Sequence, residues 1–293
     1  AYAIEQQAHP DLPPEQAVRD GRYTTALDGY LRAMALAAGD PAGGGDRQKV
    51  ERVFEEARQY VDTSYGAVAL YRMAEAKKQL GEVEVAQEYC RRAVEKAWAS
   101  ERMAVEVLLR AYMLLGGEEV ANFCRQRLAE DPDSLAAHFT MFNLATIEND
   151  YESALSYIDT CIRLAGPNSR QATDYQIKKA QLLTGAHKRT ADARYLRQAI
   201  AVYESLHEKM PKNSSVLNNL AFMMALSGQN LTEAMEYARR AIEQRPDEAN
   251  YLDTYGFVLH RNGRHEEAAQ SLTAAIQQYE VDGTAPPEVY EHM

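Results

Sequence analysis

The sequence predicts an all-α chain built from stacked pairs of antiparallel helices. Three observations carry this expectation. Alanine, the strongest helix former, occurs 46 times in 293 residues. Glycine (16) and proline (10) are scarce, and few turn-makers argue against a fold of many short strands. Small and bulky apolar residues also recur at a fixed spacing, with equivalent segments starting at 67, 101, 135, 173, 214 and 249. A repeat of this length is one supersecondary unit, which buries its apolar face only by stacking on copies of itself.

The elements follow in chain order. The first 66 residues do not keep the rhythm. Residues 21–37 read as a second-type helix, but Pro10, Pro13 and Pro14 leave room for only a short turn of helix before it. After the loop GDPAGGGD, an amphipathic helix is expected from Asp46 to Val61, with Val50, Val53, Phe54, Ala57, Tyr60 and Val61 on its apolar face. Residues 1–66 are therefore read as a divergent N-terminal helical cap. The glycine run lacks a following Lys-Ser/Thr and a preceding strand, so Asp46 as a helix N-cap explains it better than phosphate binding.

The periodic array is read over 67–286. From Ala67 the pattern gives Leu70, Met73 and Ala74, then Gly81, Ala86, Cys90, Ala93 and Trp98. From Leu135 it gives His138, Met141, Phe142 and Ala145, then Ala154, Ile158 and Cys161. From Ala249 it gives Leu252, Tyr255, Gly256 and Leu259, then Gly263, Ala268, Leu272 and Ala275. At about 100° per residue, repeat positions 4, 7, 8 and 11 share one stripe of the first helix, and 20, 24 and 27 share one of the second. Small residues at 8 and 20 let the two backbones approach. The repeat from Glu101 is the weakest, with Val120 where a small residue is expected. The segment Gly185 to Arg194 reads as a basic inserted loop between two helices. Residues 287–293 read as the start of a further first helix, too short to complete a repeat.

This pattern resembles the tetratricopeptide repeat (TPR), a helix–turn–helix unit of about 34 residues. Pro132, Pro211 and Pro246 match the proline near the end of that unit, and Gly81, Gly228 and Gly263 match the turn between its helices. The resemblance implies a right-handed α-solenoid of about six units whose first helices line a concave groove. NYLDTYGFVL followed by PPEVYEHM is similar to the closing repeats of many bacterial members, which implies a piece of a longer bacterial protein.

The net charge of −11 offers no basic footprint for nucleic acid. No apolar run approaches the ~18 residues that span a bilayer, so no membrane insertion is expected. Neither is a signal-peptide pattern present in these residues, and the compartment, a bacterial cytoplasm or periplasm, is not read from the sequence. Cys90, Cys124 and Cys161 lack metal-ligand spacing. Cys90 and Cys124 hold the same repeat position, at least ~8–10 Å apart across neighbouring helices and beyond disulfide reach. Free, core-filling thiols are expected. HExxH, GxSxG, GxGxxG and Walker patterns do not occur. The seven histidines are scattered, and His260 and His265 flank a turn with poor ligand geometry. No enzyme, metal or cofactor is expected.

What remains is the groove stripe, at repeat positions 2, 5 and 9. Its candidate partner-binding residues are Tyr71, Arg102, Val105, Leu109, Phe139, Asn143, Ile177, Gln181, Asn218, Phe222, Asn250, Asp253 and Phe257. Apolar side chains interleaved with amides suit an extended peptide, since amides pair with a peptide backbone. Val105 and Ile177 are expected to be covered by neighbouring repeats, and Phe139, Phe222 and Phe257 to be exposed. The family members that clamp chaperone carboxylates carry lysine at position 5, where this chain has no basic residue. The expected function is a non-catalytic scaffold for a protein or peptide partner. The alternative is self-association, as an assembly module of a larger bacterial envelope or secretion component.

Overall fold

The computed structural model describes residues 54, 55, 57, 58, 60–62, 66–166 and 168–282, and among them are twelve helices and no strand. These are α1 (Gly66–Gln79), α2 (Val83–Ala97), α3 (Glu101–Leu115), α4 (Gly117–Glu130), α5 (Leu135–Ile147) and α6 (Tyr151–Ala165). There follow α7 (Arg170–Thr190), α8 (Ala193–Lys209), α9 (Ser214–Ser227), α10 (Leu231–Gln244), α11 (Ala249–Arg261) and α12 (His265–Asp282). The odd-numbered helices begin at 66, 101, 135, 170, 214 and 249, within three residues of every predicted start. No helix is long and apolar enough to cross a membrane among the described residues. The cap helix at 22–37, the glycine loop and the segment 287–293 lie outside the described residues.

The chain divides into two compact units, one ending at Leu144 and the other beginning at Ala145 within α5. In the first unit, Ala74 from α1 and Ala86 and Ala93 from α2 are wholly buried. Gly81 makes the turn between these helices at φ +78, where glycine carries no steric penalty. The α3–α4 pair buries Leu108 and Val120 at positions where most of the other repeats have alanine or glycine, and α5 buries Phe142 at the position equivalent to Leu108. Bonds between repeats hold the stack. Gln87 Nε2 donates to the Leu114 carbonyl at 3.1 Å, and Arg91 pairs with Glu119 at 2.6 Å. The Glu101 carboxylate accepts from the Ser134 hydroxyl at 3.1 Å and from the Ala136 backbone N–H, which caps α5. Phe54 and Ala57 fall on the predicted apolar face; Ala57 is buried and Phe54 packs edge-on to Tyr89 at 5.4 Å.

In the second unit the small positions Ala154, Ala180, Ala199, Ala221, Ala268 and Ala275 are again buried. Gly228 and Gly263 close their turns at φ +71 and +76. Asn262 ties two repeats together, since its Nδ2 donates to the Leu231 carbonyl at 3.1 Å and to the Val258 carbonyl at 2.8 Å. Tyr251 Oη lies 2.9 Å from Ser215 Oγ and donates to Ser214 Oγ at 3.3 Å.

The expected basic loop at 185–194 is corrected. α7 runs unbroken to Thr190, 21 residues against 13 to 15 in the other odd-numbered helices. A single exposed glycine costs a helix only about 1 kcal/mol, which flanking turns absorb, and no proline follows. The break comes instead at Ala191, in the left-handed region at φ 55, with Asp192 capping α8.

Two glycines separate close packing from helix propensity. A Cβ on Gly256 would lie 2.6 Å from Leu272 Cγ and 3.2 Å from its backbone N, whereas one on Gly185 meets nothing within 4 Å. Gly256→Ala is expected to destabilise the second unit by about 1–3 kcal/mol through overpacking. Gly185→Ala is expected to stabilise it by about 0.5–1 kcal/mol. Urea unfolding of both variants checks the opposite signs, and a neutral Gly256→Ala would contradict the close approach.

Candidate functional site

In the first unit the stripe is only partly a surface. Tyr71 is buried, its hydroxyl donating to the Arg110 carbonyl at 3.4 Å with the Arg110 guanidinium 5.9 Å from the ring centre. Burial, reinforced by the Glu75 carboxylate, pushes its phenol well above the usual range, so it stays a neutral donor. Phe139 is corrected from exposed to buried. It retains 9% of its surface and stacks on Phe142 at 5.8 Å, because the ring turns along its own helix into the core. Asn143 is half-buried, and its Nδ2 donates to the Phe139 carbonyl at 2.6 Å rather than outward. Val105 is half-buried against the core, as expected. Arg102 is exposed, and so are Leu109 at 39% and, one turn later, Met113 at 70%.

The second unit holds the denser group. Phe222 on α9 and Phe257 on α11 are half-buried, and their ring centres lie 5.4 Å apart with the planes inclined at 52°. Asn218 lies one turn before Phe222, and Asp253 and Asn250 lie one and two turns before Phe257, so the five residues share one face of two adjacent helices. Asn250 is exposed and Asp253 half-buried. Asn218 is buried, and its Nδ2 donates to Asn219 Oδ1 at 3.4 Å. Its own Oδ1 has no hydrogen-bond partner among the described residues, which costs about 1–3 kcal/mol for a buried amide oxygen. On α7, Ile177 is half-buried and Gln181 exposed. The sequence missed that α7 continues this stripe for two more turns to Lys188. The legible signal was Asp192, an N-cap residue whose place marks where α8 must start.

No group of three or more His, Cys, Asp or Glu could hold a metal ion among the described residues. His260 and His265 stand with ring centres 5.1 Å apart across their turn. Cys90, Cys124 and Cys161 are free and buried, and desolvation pushes each thiol up to about 12.

Two outcomes follow. At pH 8, a thiol titrating near 12 is thiolate in only about one molecule in ten thousand, so the folded protein should resist iodoacetamide at all three cysteines. Mass spectrometry should show alkylation only after denaturation, and rapid labelling of any of them while folded would contradict the burial. Phe139→Ala should cost about 3–5 kcal/mol of stability, measured by chemical unfolding, because the ring fills core space.

Residues 67–95, the α1–α2 pair, match the tetratricopeptide repeat family model. No curated protein matches the sequence. Among solved structures, a MamA RS-1 double mutant is 18% identical with a TM-score of 0.51, over 62% of this chain and 96% of that one. MamA residues 41 to the end from Desulfovibrio magneticus RS-1 give 17% and 0.50 over the same shares. YrrB, described as a TPR protein, gives 15% and a TM-score of 0.43 over 82% of this chain and 96% of that one. One helix pair, residues 67–95, thus matches a tetratricopeptide repeat, and helix pairs recur at similar spacing to residue 282.

Proposed function

We propose that this chain is a non-catalytic scaffold that holds an extended segment of a protein partner along α9 and α11. The observation that carries this is the half-buried Phe222–Phe257 pair on α9 and α11, with Asn250 and Asp253 on the same face. Two neighbouring rings kept partly in solvent lose favourable burial, and a partner's apolar side chain recovers it, at roughly 25 cal/mol per Å² covered. The polar neighbours supply direction: an exposed amide can both donate to and accept from a peptide backbone. Residues with buried side chains, Tyr71 and Phe139 among them, support the stripe from below rather than touch the partner.

A second reading, self-association, is favoured by one feature of the first unit. Leu109 and Met113 lie one turn apart on α3 and are exposed at 39% and 70%. Adjacent exposed apolar side chains of this kind mark contact surfaces when they form a patch. A mass that stays monomeric in light scattering across a wide concentration range would remove this reading.

The scaffold reading is tested with a photo-crosslinking amino acid at position 250. Capture should yield a discrete partner, and the double variant Phe222→Ala/Phe257→Ala should reduce the yield by at least about tenfold, the loss of some 1.4 kcal/mol. The helical circular-dichroism signal should persist. Equal capture by a folded double variant would sink the proposal for this face.

A further inference from the structure

The strongest charge feature of the molecule is unused by the stripe of aromatics and amides. Residues 178–197 contain Lys178, Lys179, Lys188, Arg189, Arg194 and Arg197 against the single acid Asp192, a local charge of +5 in a chain of −11. The structure places them from the middle of α7 to its end and on the first turns of α8. Lys178, Gln181, Gly185 and Lys188 are all exposed, and their spacing puts them on one face of α7. Arg189, Arg194 and Arg197 are exposed around the same helix junction.

This arm is stiff. The link between α7 and α8 is only Ala191 and Asp192. The Ala191 N–H donates to the His187 carbonyl at 2.8 Å, and the Thr190 hydroxyl to the Ala186 carbonyl at 2.7 Å. The Asp192 carboxylate accepts from the Arg194 backbone N–H at 2.8 Å and from Arg194 Nε at 2.9 Å. Those bonds hold its carboxyl below the usual range and engage it in capping. Two of the cations also pair with acids of a neighbouring helix, Lys179 with Asp159 at 2.6 Å and Arg194 with Glu152 at 3.9 Å. The six or so extra residues of α7 lengthen the helix by roughly 9 Å at 1.5 Å per residue. Cations fixed on a rigid element lose less entropy on pairing than cations on a loop.

We propose that the α7–α8 arm is a second docking surface, which takes an acidic stretch of polypeptide across Lys178, Lys188 and Arg189. Charge complementarity selects the partner's sign, and the strongly acidic remainder of the chain repels long polyanions such as nucleic acid. A lipid surface fits less well. Membrane-binding basic helices bury an apolar face, and none of the large exposed apolar residues, Val83, Val85, Leu109, Met113, Ile147 and Val281, lies on the arm.

The test uses the full chain and a fluorescein-labelled decaglutamate peptide, read by fluorescence anisotropy. Saturable binding is expected at low ionic strength, weakening as salt rises from about 50 to about 200 mM because exposed charges are screened. The variant Lys178→Glu/Lys188→Glu/Arg189→Glu should weaken binding at least about tenfold. Phe222→Ala/Phe257→Ala should leave peptide binding unchanged, which separates this surface from the aromatic pair. If the charge-reversed variant loses its helical signal, the same positions changed to Gln serve instead. Failure of the wild-type chain to bind decaglutamate, or equal binding by a folded variant, overturns the proposal. So does binding to phosphatidylserine vesicles that requires these three residues when decaglutamate does not bind.

Discussion

The structure depends on how closely two helix backbones can approach within each pair. A lone helix hairpin has too little apolar surface to offset the entropy of ordering it, and stacking neighbours supply the missing contact. The backbones come closest where a small side chain sits at the crossing. Ala74 and Ala86, Ala180 and Ala199, and Gly256 against Leu272 occupy such crossings, and each is buried. The alanine content of the chain thus has a packing role as well as a helical one. Where the rule relaxes, at Phe142 in α5 and at Leu108 and Val120 in the α3–α4 pair, buried bulk fills the gap. The same pair bears the exposed Leu109 and Met113 on its other side.

Because the apolar stripes are committed to stacking, polar groups must secure the register between repeats. Glu101 reaches from the start of α3 to cap α5, and Asn262 reaches from the end of α11 to the start of α10. Each is one side chain bonding a backbone group at a neighbouring helix start; the Ala136 N–H that Glu101 meets has no partner within its own helix, whereas the Leu231 carbonyl takes the Asn262 amide in addition to its helical bond. These contacts set how one repeat follows the next without adding apolar surface. The Tyr251 hydroxyl, bonded to Ser214 and Ser215 of the preceding repeat, makes a link of the same polar kind.

Much of the fold was legible because helix spacing and small-residue spacing are properties of neighbours in sequence. All six first helices begin where the repeat places them or within three residues of it. The stripe was less legible. Repeat position says which way a Cα–Cβ bond points, but not how a long ring then turns. Phe139 and Phe222 occupy comparable first-helix faces, yet Phe139 turns onto Phe142 within its own helix, while Phe222 meets Phe257 on the next first helix. Asn143 likewise folds its amide back onto the Phe139 carbonyl. Such choices rest on the rotamers left open by packing, which a one-dimensional pattern does not hold.

The end of α7 shows the complementary case, in which local chemistry outranks family spacing. A 34-residue unit leaves no room for GAHKRTADAR, and the repeat pattern alone makes it a loop. Its own residues favour helix: Ala, Lys and Arg propagate one, and Thr190 can bond back to the Ala186 carbonyl. Asp192 then offers the next helix a better start than continued winding offers the first. Lys178, Gln181 and Lys188 therefore become a single exposed ridge instead of one groove residue and a flexible tail. An insertion that adds whole helical turns keeps its side chains in register with the face below it. That is how a repeat protein can extend one exposed face without disturbing the stack that supports it.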